Sequence, residues 1–303
     1  MLPAPTSLVV PASCGDLVVH RWGDEDGRPA ALLLHGTGFC GGVWGGVVAH
    51  LTDRFVVYAL DRRGHGRSAK PTDAYDVTDF ADDTIRVIDA LGLDGAYGIG
   101  HSAGATDLLL AAVARPSAFR LLFTIEPTAM DAAAPVRRAE LDELHALVLG
   151  SITRRTTRFA TRAEVVERYQ SRDAFAGWRP DLLAAYVDGG FHDVAGGVEL
   201  SCRPEIERSM LARIFAVMEG RYTGPVGESG NPFAALAHVP CPAVIATTAG
   251  SPPIYGAMAA DARRVVPSAV DHHIDGVGHA AAQEVPDAVA AALLRCWDTG
   301  RPC

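Results

Sequence analysis

Apolar and polar positions follow two alternating rhythms through the first 127 residues. Short apolar runs at 16–22, 31–34, 55–60, 96–99 and 121–125 read as strands, and the segments between them at 43–51, 77–91 and 103–114 carry the wider spacing of helices. Ala31-Leu32-Leu33-Leu34 has no polar position at all, as expected of a strand covered on both faces. Strands and helices in alternation imply an α/β chain with a mostly parallel sheet and helices on both faces. Residues 128–236 break the rhythm. Helices are predicted at 137–149, 162–170, 180–188 and 204–218, no buried strand is evident, and a Gly- and Pro-rich stretch at 222–232 leads back. The strand rhythm then resumes at 243–248 and again before Ile274, followed by a helix over 283–297. The expectation is a core made of 1–127 and 237–303 with a helical cap, 128–236, inserted over the strand ends where such sheets bind ligands.

The chemistry concentrates where strands end. Gly100-His101-Ser102-Ala103-Gly104 lies between an apolar strand and a small-residue helix. This Gly-x-Ser-x-Gly pattern lifts a serine hydroxyl out of a tight strand-to-helix turn, and the glycines let the two elements close up. A hydroxyl is a poor nucleophile without a base. Of the eleven histidines, His279 in Asp275-Gly276-Val277-Gly278-His279 sits in a flexible loop after the last strand, free to reach back over the sheet. His272 and His273 alternate faces of that strand and read as structural. His35-Gly36-Thr37-Gly38 follows the first buried strand. Backbone N–H groups of Thr37 and Ala103, with Gly36 shaping the turn, are candidate donors to a developing oxyanion.

Taken in order, His35-Gly36-Thr37-Gly38, the loop Asp61-Arg62-Arg63-Gly64-His65-Gly66-Arg67-Ser68, the serine pentapeptide and Gly278-His279 resemble the α/β-hydrolase superfamily over roughly residues 8–127 and 240–298. That resemblance implies the α/β-hydrolase fold with an eight-stranded sheet, and a structural role for the 61–68 loop, with Asp61 and Arg63 tying the turn. It also exposes a departure. The triad acid of this superfamily usually follows the seventh strand, but here Ala249-Gly250-Ser251-Pro252-Pro253-Ile254-Tyr255 holds no carboxylate before Asp261. Glu126 ends the preceding strand instead, a placement similar to that in dehalogenases and a group of fungal-toxin lactonases. Neighbouring strands lie only about 4.8 Å apart, so the shift is small. Glu126 is therefore the expected acid, ahead of Asp261, Asp275, Glu219 and Glu228.

The 303 residues are 49% hydrophobic and carry a formal charge of −9. The acidic balance argues against nucleic acid or an anionic membrane as partner. No apolar run spans a bilayer, and residues 1–10 lack a signal-peptide pattern. Six scattered cysteines form neither a zinc pattern nor a disulfide framework, and read as free thiols of a cytoplasmic protein. The expected partner is a small-molecule substrate, with no cofactor and no metal, in a monomer or homodimer. The residues imply a serine hydrolase acting through an acyl-enzyme on an ester or lactone with an apolar body. Serine at the elbow argues against the epoxide hydrolases and dehalogenases of the superfamily, which use Asp there. C–C bond hydrolysis, cofactor-free perhydrolysis and a small-molecule receptor on the same scaffold remain open.

Overall fold

The computed structural model describes residues 2–24, 26–131, 138–224 and 231–299. Eight strands form the central sheet: β1 (Thr6–Ala12), β2 (Gly15–Trp22), β3 (Ala30–Leu34), β4 (Val56–Asp61), β5 (Ala96–His101), β6 (Phe119–Ile125) and, after a long insertion, β10 (Ala243–Thr248) and β11 (Ala269–Ile274). Their order is β1-β2-β4-β3-β5-β6-β10-β11, antiparallel across β1, β2 and β4 and parallel from β4 onward. The expected mostly parallel sheet is present, and its first strand, β1, is an addition to the strands expected from sequence.

Alternate residues of each strand feed two separate cores. Leu32, Leu34, Tyr58 and Leu60 pack on one face with α2 (Val77–Leu91), α3 (Ala103–Ala114) and α9 (Pro253–Val265). Ala31, Leu33, Val57 and Ala59 pack on the other with α1 (Gly45–Val48) and α11 (Pro286–Thr299). The helix expected over 43–51 is shorter than predicted, because a single turn of tighter helix at Gly41–Trp44 leads into α1. The last helical stretch is likewise split into α10 (Ala281–Glu284) and α11, since Pro286 cannot donate to a continuing helix.

Between β6 and β10 the described residues form α4 (Arg138–Thr153), α5 (Arg162–Gln170), α6 (Pro180–Gly190), α7 (Pro204–Met218) and α8 (Pro232–Ala235). Pro180 and Pro204 open their helices at positions whose N–H would have no partner, and Thr161 caps α5 by accepting from the Glu164 N–H. Three short strands also occur here: β7 (Arg158–Phe159), β8 (Phe191–Val194) and β9 (Gly197–Leu200), in the order β7-β9-β8. Phe159, Phe191, Val198 and Leu200 are buried, so the insertion is not purely helical as expected. Runs of two to four residues are too short to show a strand period. Most of the predicted return segment, and Arg137 and Glu228, lie outside the described residues. Cys14, Cys40, Cys202 and Cys241 are free thiols, but Cys296 is disulfide-bonded, which corrects the expectation of six free cysteines. No helix among the described residues is long and apolar enough to cross a membrane.

Close approach at the β5–α3 turn ties the start of α3 to the end of β3. A Cβ at Gly104 would lie 2.5 Å from the main-chain oxygens of both Leu34 and His35, whereas one at Gly256, on the outer side of α9, would meet nothing within 4 Å. Gly104→Ala should therefore lower the unfolding free energy by about 1–3 kcal/mol through overpacking. Gly256→Ala should leave it unchanged or raise it by up to about 1 kcal/mol. Urea unfolding followed by circular dichroism separates the two, and equal midpoints would refute the close-approach argument.

Candidate active site

Ser102 stands at the apex of the β5–α3 turn with φ 55° and ψ −124°, a conformation that non-glycine residues seldom adopt. The strain is held in place from both sides. The Ser102 N–H donates to the Ile125 carbonyl at 2.8 Å, and the Ser102 carbonyl accepts from the Ala105 N–H at 3.0 Å. A Cβ at Gly100 would lie 2.5 Å from Ala105 Cα, so only glycine allows α3 to fold back this tightly. Ser102 keeps 9% of its surface exposed. Ala103 begins α3, and its N–H, an N-terminal donor of the helix, has no acceptor among the described residues and lies where the helix dipole favours negative charge.

Glu126 also has a positive φ, 48°, and its N–H donates to the Ala246 carbonyl at 2.9 Å. Its fully buried carboxylate meets His279 Nδ1 at 2.6 Å through Oε2. Ser251 donates its hydroxyl to Oε2 at 2.7 Å, and Thr248 donates both its N–H (3.0 Å) and its hydroxyl (2.9 Å) to Oε1. Burial alone would raise the Glu126 pKa, but the hydrogen bond and charge of His279, with the Ser251 and Thr248 hydroxyls, outweigh it and hold the carboxyl below its ordinary value. The loop after β10 thus contributes donors to a carboxylate on β6 rather than a carboxylate of its own. Sequence reasoning missed Thr248 and Ser251; the signal available was a pair of hydroxyl residues flanking the empty acid position.

The imidazole of His279 is clamped between two rings. Tyr255 stacks on it at 3.9 Å between centroids and 26° between planes, and His101 lies 4.5 Å away on a tilt. The other candidate carboxylates are engaged elsewhere. Asp261 Oδ2 accepts from the Asp131 N–H, Asp275 is exposed beside His273, and Glu219 pairs with Arg221.

The loop after β3 is fixed almost atom by atom. The Gly36 carbonyl accepts from His35 Nδ1 (2.8 Å) and from the Phe39 N–H (3.3 Å). The Gly38 N–H donates to His65 Nε2 at 2.9 Å, and the Gly38 carbonyl accepts from the Tyr186 hydroxyl at 3.0 Å. His35 Nε2 likewise accepts from the Arg62 N–H at 3.1 Å, and both histidines can accept only if neutral. Desolvation, helped by Arg62, holds His65 at about 3, and desolvation together with His65 keeps His35 well below the ordinary value. Thr37 N–H is left with no acceptor among the described residues. Gly36 is placed for close approach rather than donation: a Cβ there would lie 3.1 Å from both Ser102 Cβ and His101 Nδ1. Beneath this loop Asp61 accepts from the Gly41 and Arg67 N–H groups, and Arg63 forks onto Asp83 at 2.6 and 2.8 Å, the structural role expected for the 61–68 segment.

Thr37, Gly38 and His279 open into a cleft of about 560 Å³ whose far wall comes from the segment between β6 and β10, including Arg155, Tyr169, Trp178, Tyr186 and Glu207. The arginines at 154, 155, 158 and 162 read from sequence as a solvated helix face. Arg155 departs from that reading: it forks onto Glu207 with contacts of 2.5 and 3.3 Å in the cleft wall. No cluster of His, Cys, Asp and Glu suited to a metal occurs among the described residues.

These features match a known family. Residues 31–292 fit the family model of the alpha/beta hydrolase family. The chain belongs to the α/β-hydrolase family. Among characterised relatives, 2-(acetamidomethylene)succinate hydrolase of Mesorhizobium japonicum is 30% identical over 175 residues, 58% of this chain and 59% of that protein. A bifunctional esterase/perhydrolase of Acinetobacter calcoaceticus is 38% identical over 90 residues, 29% of this chain and 32% of that one. The matched segments thus span less than two thirds of either relative's length. Two solved structures superpose over nearly all of it: E-2-(acetamidomethylene)succinate hydrolase (TM-score 0.78, 23% identity, 97% of this chain and 99% of that one) and a thioesterase domain from the curacin biosynthetic pathway (0.75, 21%, 97% and 100%). At these identities the superpositions establish the fold.

The depressed Glu126 pKa has a signed consequence. A carboxylate whose native pKa lies below the unfolded value, about 4.3, contributes stability that is fully present above that value and is lost as pH falls through the native one. The stability difference between the wild-type protein and Glu126→Gln should therefore be largest at neutral pH and shrink below about pH 4. Urea midpoints measured from pH 7 to pH 3 give the answer; a gap that stays constant or widens in acid would contradict the charge assignment.

Proposed function

We propose that this protein is a serine hydrolase that cleaves a carboxylic ester or lactone through an acyl-enzyme, with Ser102 as nucleophile, His279 as general base and Glu126 as the acid that orients it. The 2.6 Å contact between Glu126 and His279 Nδ1 carries this reading. With Nδ1–H donated to the carboxylate, Nε2 is left unprotonated to receive the serine proton. The negative charge beside the ring stabilises the imidazolium that then forms.

In the proposed sequence, His279 Nε2 takes the proton as Ser102 Oγ bonds to the carbonyl carbon, and the carbonyl electron pair moves onto oxygen. The unpaired N–H groups of Thr37 and Ala103 receive that oxyanion. The tetrahedral intermediate collapses by breaking the bond to the leaving alcohol, which takes the proton back from His279. Water then attacks the acyl-enzyme with the same base and regenerates Ser102. Residues 128–236 are assigned as the cap that closes the cleft over the acyl group, supported by Tyr186 and Glu207 in its wall. The same triad could serve C–C hydrolysis or perhydrolysis, and the esterase/perhydrolase relative keeps the latter in view. A receptor that holds a ligand in this cleft with little turnover is the reading from another class.

Ser102→Ala should abolish p-nitrophenyl ester turnover with an unchanged circular dichroism spectrum, and a fluorophosphonate probe should label the wild-type protein at Ser102. Glu126→Gln should lower kcat at least about 10²-fold, since replacing the triad acid by its amide in a serine protease costs about 10⁴-fold. Asp261→Asn should stay within a few-fold. A single burst without sustained release from the wild type would favour the receptor, and full activity of Glu126→Gln would remove Glu126 from the triad.

A further inference from the structure

The cleft has two kinds of wall. Phe39, Phe159, Tyr169, Phe175, Trp178 and Tyr186 line it with aromatic rings, packed at 4.7 Å for Tyr169 on Phe175 and 5.5 Å for Phe39 against Trp178. Set into this box is the Arg155–Glu207 fork. Side-chain exposure is 23% for Arg155 and only 6% for Glu207. Burying an ion pair costs desolvation that its own attraction scarcely repays, so such a pair is weak evidence of a stabilising role. Its position is specific. A Cβ at Gly38 would lie 3.0 Å from Glu207 Oε1 and 3.8 Å from Arg155 Nη1, so the pair rests on the residue next to Thr37. The Tyr169 hydroxyl, an electrostatic neighbour of Arg155, lines the same cleft and has no hydrogen-bond partner among the described residues.

A guanidinium fork uses two of its five N–H donors on the carboxylate, leaving others for a ligand oxygen. The carboxylate retains lone pairs for a ligand O–H. A group that both donates and accepts satisfies the pair. A carboxylate ligand does not, because Glu207 repels it, and the acidic residues of the cleft wall (Asp173, Glu207, Glu284) outnumber the basic ones (Arg155, Arg172). Aromatic walls on either side select a flat ring as the bearer of that group.

We propose that Arg155, Glu207 and the Tyr169 hydroxyl form a subsite for a phenolic hydroxyl, making the substrate a hydroxyaryl ester or lactone whose ring stacks in the aromatic box. The assignment deepens the hydrolase reading and rests on it for the position of the ester next to Thr37. The phenol O–H donates to Glu207, and its oxygen accepts from Arg155. A site built to pair with a hydroxyl rejects the analogue that lacks it, because its own polar groups are then left unsatisfied.

Binding is measured by calorimetry on the full-length Ser102→Ala protein, so that it reads the subsite whether or not the wild type turns over. Two probe pairs cover both sides of the ester: methyl 4-hydroxybenzoate against methyl benzoate, and 4-hydroxyphenyl acetate against phenyl acetate. In at least one pair the hydroxylated member should bind about tenfold tighter, the scale of one hydrogen bond to a charged group. Monomethyl terephthalate, with a carboxylate in place of the hydroxyl, should bind more weakly than methyl benzoate. Adding Arg155→Met and Glu207→Leu together removes both charges and leaves neither buried alone, and the preference should fall to about one. Should that variant fail to fold by circular dichroism, Glu207→Gln carries the test and should reduce the preference at least about threefold. The proposal is overturned by a preference below about fivefold in both pairs, by tighter binding of the terephthalate, or by a preference that survives the substitutions. Failure of the hydrolase reading would show separately, as a wild-type protein that binds these esters and cleaves none of them.

Discussion

The contact between Glu126 and His279 joins three strand ends into one site. Glu126 leaves β6, its carboxylate is filled by donors from the end of β10, and the imidazole it holds comes from the loop after β11. Without that carboxylate the His279 loop would still have Tyr255 and His101 against the ring, a Gly278 N–H bond to Glu284 and a Gly250 N–H bond to the Val277 carbonyl to place it, but not the ionised acceptor that Glu126 sets on Nδ1. The carboxylate selects the ring tautomer, because an ionised acid can only accept. A buried charge of this kind is tolerated where its oxygens are satisfied, and Thr248, Ser251 and His279 satisfy both. The two non-glycine residues of the site with positive φ, Ser102 and Glu126, place strain at the ends of adjacent parallel strands. Each is held by a main-chain bond to the neighbouring strand, Ser102 to Ile125 and Glu126 to Ala246.

A second layer of buried charge supports the serine turn from below. Arg62 pairs with Asp107 on α3 at 2.6 Å and lies 4.4 Å from the Phe80 ring. Burial pushes Asp107 up to about 6 despite Arg62, while His35 and His65 are driven the other way, into the neutral form. Desolvation acts on both kinds of group, with opposite sign for acids and bases. The loop after β3 depends on this outcome. A protonated His65 would present a donor to the Gly38 N–H, and the bend that exposes Thr37 N–H would lose one of its supports.

How much of this can be read from residues alone differs by feature. Ser102, His279 and the strand rhythm of the core stand out. A glycine-flanked serine directly after an apolar run, and a glycine-flanked histidine late in the chain, are combinations that ordinary turns rarely produce. Glu126 shows itself through an empty position, since the stretch after Thr248 offers no carboxylate. What fills that position instead, the hydroxyls of Thr248 and Ser251, leaves only a weak signal, a pair of hydroxyl residues beside the empty place, because hydroxyl residues in a turn are ordinary. β1 pairs only at the sheet edge, where exposed positions such as Val9 blur the apolar pattern. The strands β7, β8 and β9 are too short for periodicity. Arg155 misleads because four arginines close together suggest a wet surface, and only tertiary packing brings Glu207 of α7 against one of them.

The glycine at 38 is one of the places where the core and the segment inserted between β6 and β10 meet. Its N–H is held by His65 of the core, and its carbonyl by Tyr186 of the segment inserted between β6 and β10. Its φ of 84° strains any residue but glycine, and a Cβ there would press on Glu207 Oε1 at 3.0 Å. The Thr37 N–H, one residue before it, therefore inherits its orientation from both at once. Glu207 and Arg155 stand beside this glycine in the cleft wall, so in the proposed reaction a ligand held by them would lie within two residues of the Thr37 N–H that would meet charge developing at Ser102. A consecutive peptide spans at most about 3.6 Å per residue, so this proximity needs no conformational relay through the sheet. Remote binding energy spent on orienting a donor appears in the transition state rather than in ground-state affinity alone. A fold that is shared across unrelated reactions can be tuned in this way from its insertion, with the serine turn and the Glu126–His279 pair left untouched.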